Sequence, residues 1–174
     1  MTYIFGIDPG ADHKKHSVSE RGTGWALIEV HDNVNTPPTL AASGHVLGGP
    51  DSLLAELVKP GNVLQQQWAM RSCFLLASIV VVENFKLFDK NADPAPLEII
   101  GMMKLYCALE SKEIVVQMPG ERGGVTHDDL KRIGMWPGGR GHADTAQAIR
   151  HILSWLMKKR HKPTMMLVSP PPED

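Results

Sequence analysis

Apolar positions along the chain fall into two rhythms. Short apolar and β-branched runs predict strands at "TYIFGID" (2 to 8), "GWALIEV" (24 to 30), "TLAASGHVL" (39 to 47), "SIVVVENF" (78 to 85) and "EIVVQM" (113 to 118). Apolar residues three or four apart predict helices over 51–58, from about 63 to 76, over 96–111, near 127–135 and over 142–159. The helix at 51–58 starts on Asp51, read as its cap. The run "SIVVV" does not alternate, which suits a strand covered on both faces. The first three strands, the first two joined by a polar loop, predict an antiparallel meander. The order βββ, α, β, α, β, α then predicts an α/β chain: a central mixed five-stranded sheet between layers of helices. The sequence carries no repeat or linker, so residues 1–162 are expected to form one domain, with 163–174, rich in proline, as a disordered tail.

Composition narrows the class. A chain of 174 residues, 43% hydrophobic and 21% charged, suits one soluble globular domain with a sizeable core. The longest apolar run, "CFLLASIVVV" (73 to 82), is about half of what a bilayer span needs, so no membrane partner is expected. The opening "MTYIFG" lacks a signal peptide's basic head and long apolar stretch, and a cytoplasmic location is expected. Cys73 and Cys107 suit reduced core residues without metal-ligand spacing. The net charge of -1 gives no global pull on a polyanion, so any nucleic-acid contact has to come from local clusters.

The chemistry is suggested by acids at strand ends. Asp8 closes the first strand and Glu83 closes "SIVVV", two unrelated apolar runs that each finish on a carboxylate. If those strands are neighbours, the acids converge where α/β sheets carry their functional groups. Asp144, in the first turn of the last helix, leans back towards that helix's N-terminus and can join them. Clustered carboxylates are costly until a cation neutralises them, and all-oxygen ligands favour Mg²⁺ or Mn²⁺. Two such ions about 3.5 to 4 Å apart suit phosphodiester hydrolysis. Blander explanations exist for each acid: a turn at Asp8-Pro-Gly, a strand-end salt bridge for Glu83, a helix-dipole contact for Asp144.

At these residues the sequence resembles the RuvC-type Holliday junction resolvases of the RNase H-like superfamily. "FGIDPG" with "TGWALIE" is similar to that family's opening hairpin and "VVVENF" to its second acidic strand. "KNADPAPLEIIGMMKLYCAL" resembles its central helix, and "HADTAQAIRHIL" its acidic last helix. The resemblance implies the RNase H-like three-layer fold and a homodimer with two Mg²⁺ per active site, Mn²⁺ as substitute. Its catalytic acids fall on Asp8, Glu83 and Asp144. It implies symmetric nicking of four-way DNA junctions, leaving a 5′-phosphate and a 3′-hydroxyl. The family's fourth ligand falls on Gly141, which cannot bind metal; His142, one place on, either takes that role or merely starts the helix.

DNA contact is expected from groups around the acids: Lys14 and Lys15 in the unusually long first loop, then Lys86, Lys90, Arg122, Lys131, Arg132 and Arg140. Phe85 and Phe88 follow Glu83, where a ring can stack on an unpaired base or simply pack into the core. The basic stretch "KKRHK" (158 to 162) suits either a phosphate contact or a helix end. The long loop and the shifted histidine suggest a phage-encoded enzyme acting in an infected host. Competing readings are a relaxed branched-DNA or structured-RNA nuclease of the same fold, and a junction-binding protein without catalysis. "GIDPG" also resembles the phosphate loop of sugar-kinase and actin-like ATPases, whose nucleotide site needs two related domains.

Overall fold

The computed structural model describes residues 1–10, 22–33, 35–59, 69–85, 93–138 and 142–170. Five strands form one sheet: β1 (Thr2–Pro9), β2 (Gly22–Val30), β3 (Thr39–Leu47), β4 (Ile79–Glu83) and β5 (Glu113–Gln117), in the order β3-β2-β1-β4-β5. β1 pairs antiparallel with β2, and β2 with β3, while β4 runs parallel to both β1 and β5. The expected mixed sheet with an antiparallel opening is therefore the one observed.

Strand pleating feeds two separate cores. Phe5, Ile7, Val80 and Val82 point to one face, where they pack with Leu53, Leu57, Phe74, Ile99 and Met103. These last belong to α1 (Pro50–Val58), α2 (Met70–Leu76) and α3 (Ala95–Leu109). Ile4 and Val81 point to the other face, against Ala148, Ile149, Ile152 and Leu153 of α5 (His142–Lys158). Between β5 and α5 the chain forms a 3-10 turn, Pro119–Gly124, and the short helix α4 (His127–Arg132). The central strand β4 has apolar neighbours on both faces, which is why its run does not alternate. Cys73 and Cys107 are free thiols buried in the first core, and burial pushes both up to about 11. Among the described residues no helix is long and apolar enough to cross a membrane.

Two expectations need correction. Helix α1 is capped by Gly49 with Pro50 at its first position, so Asp51 lies inside the first turn, near the positive end of the dipole, and is not the cap. Secondly, the segment assigned to a disordered tail from 163 onward contains most of a further helix, α6 (Lys162–Val168). Its Pro163, Thr164 and Val168 are buried, and the Arg132 guanidinium donates to the carbonyls of Leu167 and Val168. Those partners satisfy the open carbonyls of a helix end that composition alone would leave disordered. The helix expected from residue 63 is described only from Met70, since 60–68 lie outside the described residues.

Candidate active site

Asp8 sits at the end of β1 and is 8% exposed. Because Ile7 pairs with Val82, the next residues along these parallel strands, Asp8 and Glu83, finish side by side. The two carboxyl groups lie against each other. Burial, that contact, the Glu83 charge and the Asp144 charge together hold the Asp8 carboxyl well above the usual carboxylate range, against a smaller opposing pull from Arg122. Glu83 moves the other way. Burial pushes it up, but the close approach of His151 and Asp8 and the positive charge of Arg122 outweigh burial and bring it to about 2. Of the two, Asp8 therefore keeps its proton to the higher pH and Glu83 ionises the more readily.

Both oxygens of Glu83 are held. Arg122, from the 3-10 turn, pairs with Oε1, and His151 Nε2 lies 3.0 Å from Oε2. His151 is fully buried, and its Nδ1 lies 2.9 Å from Oε1 of buried Gln117 at the end of β5. The 3-10 turn, α5 and, through His151, β5 thus fix the one carboxylate that β4 carries.

Asp144 reaches the site because β2 makes room for it. The sheet register places Asp8, Gly24 and His45 in one row across β1, β2 and β3. A Cβ on Gly24 would lie 2.1 Å from the Asp144 carbonyl carbon and 2.3 Å from the Thr145 nitrogen. Only the missing side chain lets the first turn of α5 rest on the strand. Asp144 Oδ2 lies 3.1 Å from His45 Nε2, and Thr145 Oγ1 donates to the Gly44 carbonyl at 2.9 Å.

The three acids named from sequence thus lie at one end of the sheet, Asp8 against Glu83 and under the charge of Asp144. They are arranged as two occupied pairs, Asp8 with Glu83 and Asp144 with His45. Among the described residues no three His, Cys, Asp or Glu side chains form a ready-made metal-holding group. The donor set still suits a hard divalent cation. It is made of carboxylate oxygens, and burial first, then the neighbouring Glu83 and Asp144 charges, raise the Asp8 carboxyl; a cation among them would relieve that cost. Gly141 and the His142 side chain lie outside the described residues.

Of the residues named for DNA contact, Lys14, Lys15, Lys86, Phe88, Lys90 and Arg140 also lie outside the described residues. Arg122 stands at the acids. Phe85 is half-buried against the first core. Lys131 pairs with Asp128 at 3.0 Å and lies over the Trp136 ring, and Arg132 pairs with Asp129 while holding the end of α6. His45, Gln117, His151 and Gly24 were not singled out by sequence. For His151 a signal existed, since it follows Asp144 by seven residues and so shares its helix face. His45 gave none, because its place depends on the β2–β3 register.

No protein-family model matches this sequence, and no curated protein matches it. Solved structures do. The chain is similar to Thermus thermophilus RuvC in complex with a Holliday junction substrate, with a TM-score of 0.61 and 14% identity over 91% of this chain and 96% of that one. It is also similar to another T. thermophilus RuvC structure, with a TM-score of 0.57 and 13% identity over 92% of this chain and 98% of that one. At such identities the likeness speaks for the fold, the RNase H-like arrangement of RuvC.

Proposed function

We propose that this chain is a RuvC-type endonuclease that nicks four-way DNA junctions in a divalent-metal-dependent reaction, as a cytoplasmic homodimer. The observation that carries the reading is Asp8 lying against Glu83 and under the charge of Asp144, at one end of a RuvC-like sheet. Two Mg²⁺ ions, or Mn²⁺ in their place, would supply an activated water and neutralise the departing oxygen when bound. The chain's own groups prepare that chemistry. Glu83, lowered by Arg122 and His151 beside it, offers a negative charge, and Asp8 would release its proton to solvent on metal binding to become a second. Asp144 would complete the acids, and His142 is the candidate fourth ligand. Arg122 and the basic residues named from sequence would meet the phosphate backbone, so that junction shape outweighs base sequence in choosing the substrate. In-line attack then leaves a 5′-phosphate and a 3′-hydroxyl. Exposed Leu105 and Leu109 on α3 support the homodimer, because large apolar side chains turned to water favour a partner.

The test is incubation of purified protein with a synthetic four-way junction and Mg²⁺. Paired, symmetric nicks that disappear in Asp8→Asn are expected, and an intact junction or an active Asp8→Asn would remove the reading. Rates on flap, single-stranded and RNA-containing substrates separate a junction resolvase from a relaxed nuclease of the same fold. The paired-up state of the described acids favours one second reading, a protein that binds junctions without cutting them. Junction binding without nicks and without Mn²⁺ uptake by calorimetry would support it.

A further inference from the structure

We propose that His45 is a positioning residue of this site, holding Asp144 in place from the edge strand β3; the inference rests on the nuclease reading above. Three features of the structure point to it. The first is contact: His45 Nε2 lies 3.1 Å from Asp144 Oδ2. A carboxylate only accepts hydrogen bonds, so Nε2 carries the hydrogen and donates it.

The second is that the pocket for the ring is built into the backbone. The His45 side chain is only 9% exposed, and a Cβ on Gly22 would lie 2.2 Å from its Cε1 and Nε2. The glycine of β2 therefore leaves space that the imidazole fills, and the ring has little room to turn away from Asp144.

The third is that the contact is one half of a clasp. Gly44 and His45 are consecutive on β3, and Asp144 and Thr145 are consecutive on α5. Thr145 Oγ1 donates to the Gly44 carbonyl while His45 donates to Asp144, so two adjacent bonds tie the edge strand to the helix start across Gly24. Asp144 is half-buried, and the clasp is the fixed frame against which its carboxylate is aimed. Hydrogen-bonded partners of metal-binding carboxylates set their orientation, and losing one typically weakens metal binding or activity about 10- to 100-fold. A junction substrate need not touch His45 for this to hold.

The experiment compares the full chain with His45→Ala and His45→Gln, the second retaining an N–H at a similar reach. Thermal unfolding first establishes that each variant is folded. Mn²⁺ affinity without DNA is then measured by calorimetry, the Mn²⁺ environment by pulsed electron paramagnetic resonance, and junction nicking by kcat and KM. We expect about 10- to 100-fold weaker Mn²⁺ binding in His45→Ala, near-parental binding in His45→Gln, and a nicking loss in kcat with KM little changed. Unaltered Mn²⁺ affinity in folded His45→Ala, or an equal loss in folded His45→Gln, would overturn the assignment. So would a directly bound nitrogen that vanishes in His45→Ala, which would make the ring a ligand. If the parent protein itself neither binds Mn²⁺ nor nicks junctions, the nuclease reading falls and takes this one with it. If the parent does both and the variants match it, only the role of His45 falls.

Discussion

The carboxylates on either side of Asp8 are held in opposite ways. Glu83 is 12% exposed at its side chain, with Arg122 on one oxygen and buried His151, itself tied to Gln117, at the other. Asp144 is 35% exposed and meets His45 on one oxygen. On the Glu83 side the geometry is fixed by β4, β5 and α5 before any cation arrives. On the Asp144 side it depends on how the start of α5 seats on Gly24 and clasps β3. The contrast teaches that one acid is preorganised by buried charge and the other by backbone fit. Damage to each should therefore read out differently: as lost stability around Glu83, as misplaced chemistry around Asp144.

The largest effect should come from the group both sides share. Asp8→Asn removes a charge worth several kcal/mol to the transition state, so nicking should fall about 10³-fold or more while the fold is retained. Single-turnover cleavage of a labelled junction measures it. Next comes the backbone seat: Gly24→Ala forces a methyl group into the first turn of α5, costing about 1–3 kcal/mol of stability. A shift near 1 Å at Asp144 would cost nicking about 10²-fold. Denaturant unfolding and the same assay separate the two losses. If Gly24→Ala lowers stability alone, the idea that β2 aims Asp144 is wrong.

On the opposite flank, His151→Ala leaves Gln117 and a Glu83 oxygen without their buried partner and should cost about 1–3 kcal/mol in denaturant unfolding. Its fractional loss of stability should exceed its fractional loss of nicking when compared with Gly24→Ala.

The smallest effect is in the pH dependence, and it has two opposite arms. Glu83, lowered from 4.5 to about 2, contributes stability that is fully present above 4.5 and is lost as the pH falls towards 2. Asp8, raised above 3.8, contributes stability while protonated, and that contribution is lost as the pH rises from 3.8 through its raised value. Thermal melts in a chelator should therefore weaken at both ends of the range. Mg²⁺ should recover the upper arm only, and Asp8→Asn should flatten it.

Much of this was legible in the sequence, and the residues show why. The ends of "TYIFGID" and "SIVVVE" advertise their acids because a polar residue closing an apolar run is a local signal, and local signals need no knowledge of the fold. Asp144 was readable from its place in a helical first turn. The residues that hold these acids were not readable, because their roles are nonlocal. His45 meets Asp144 only through the β2–β3 register, 99 residues away in sequence, and Gln117 meets His151 only where β5 passes α5. Gly24 looked like part of a hairpin motif, yet its function is the absence of a side chain under another element. Helix α6 escaped notice because its order comes from Arg132 and the second core, and not from its own composition.

The most direct test of the central claim is anomalous diffraction from crystals soaked in Mn²⁺. An anomalous peak bound by carboxylate oxygens of Asp8 and Glu83 is expected, with Asp144 reaching the same cluster. A fully soaked crystal with no peak among the three acids would contradict that claim.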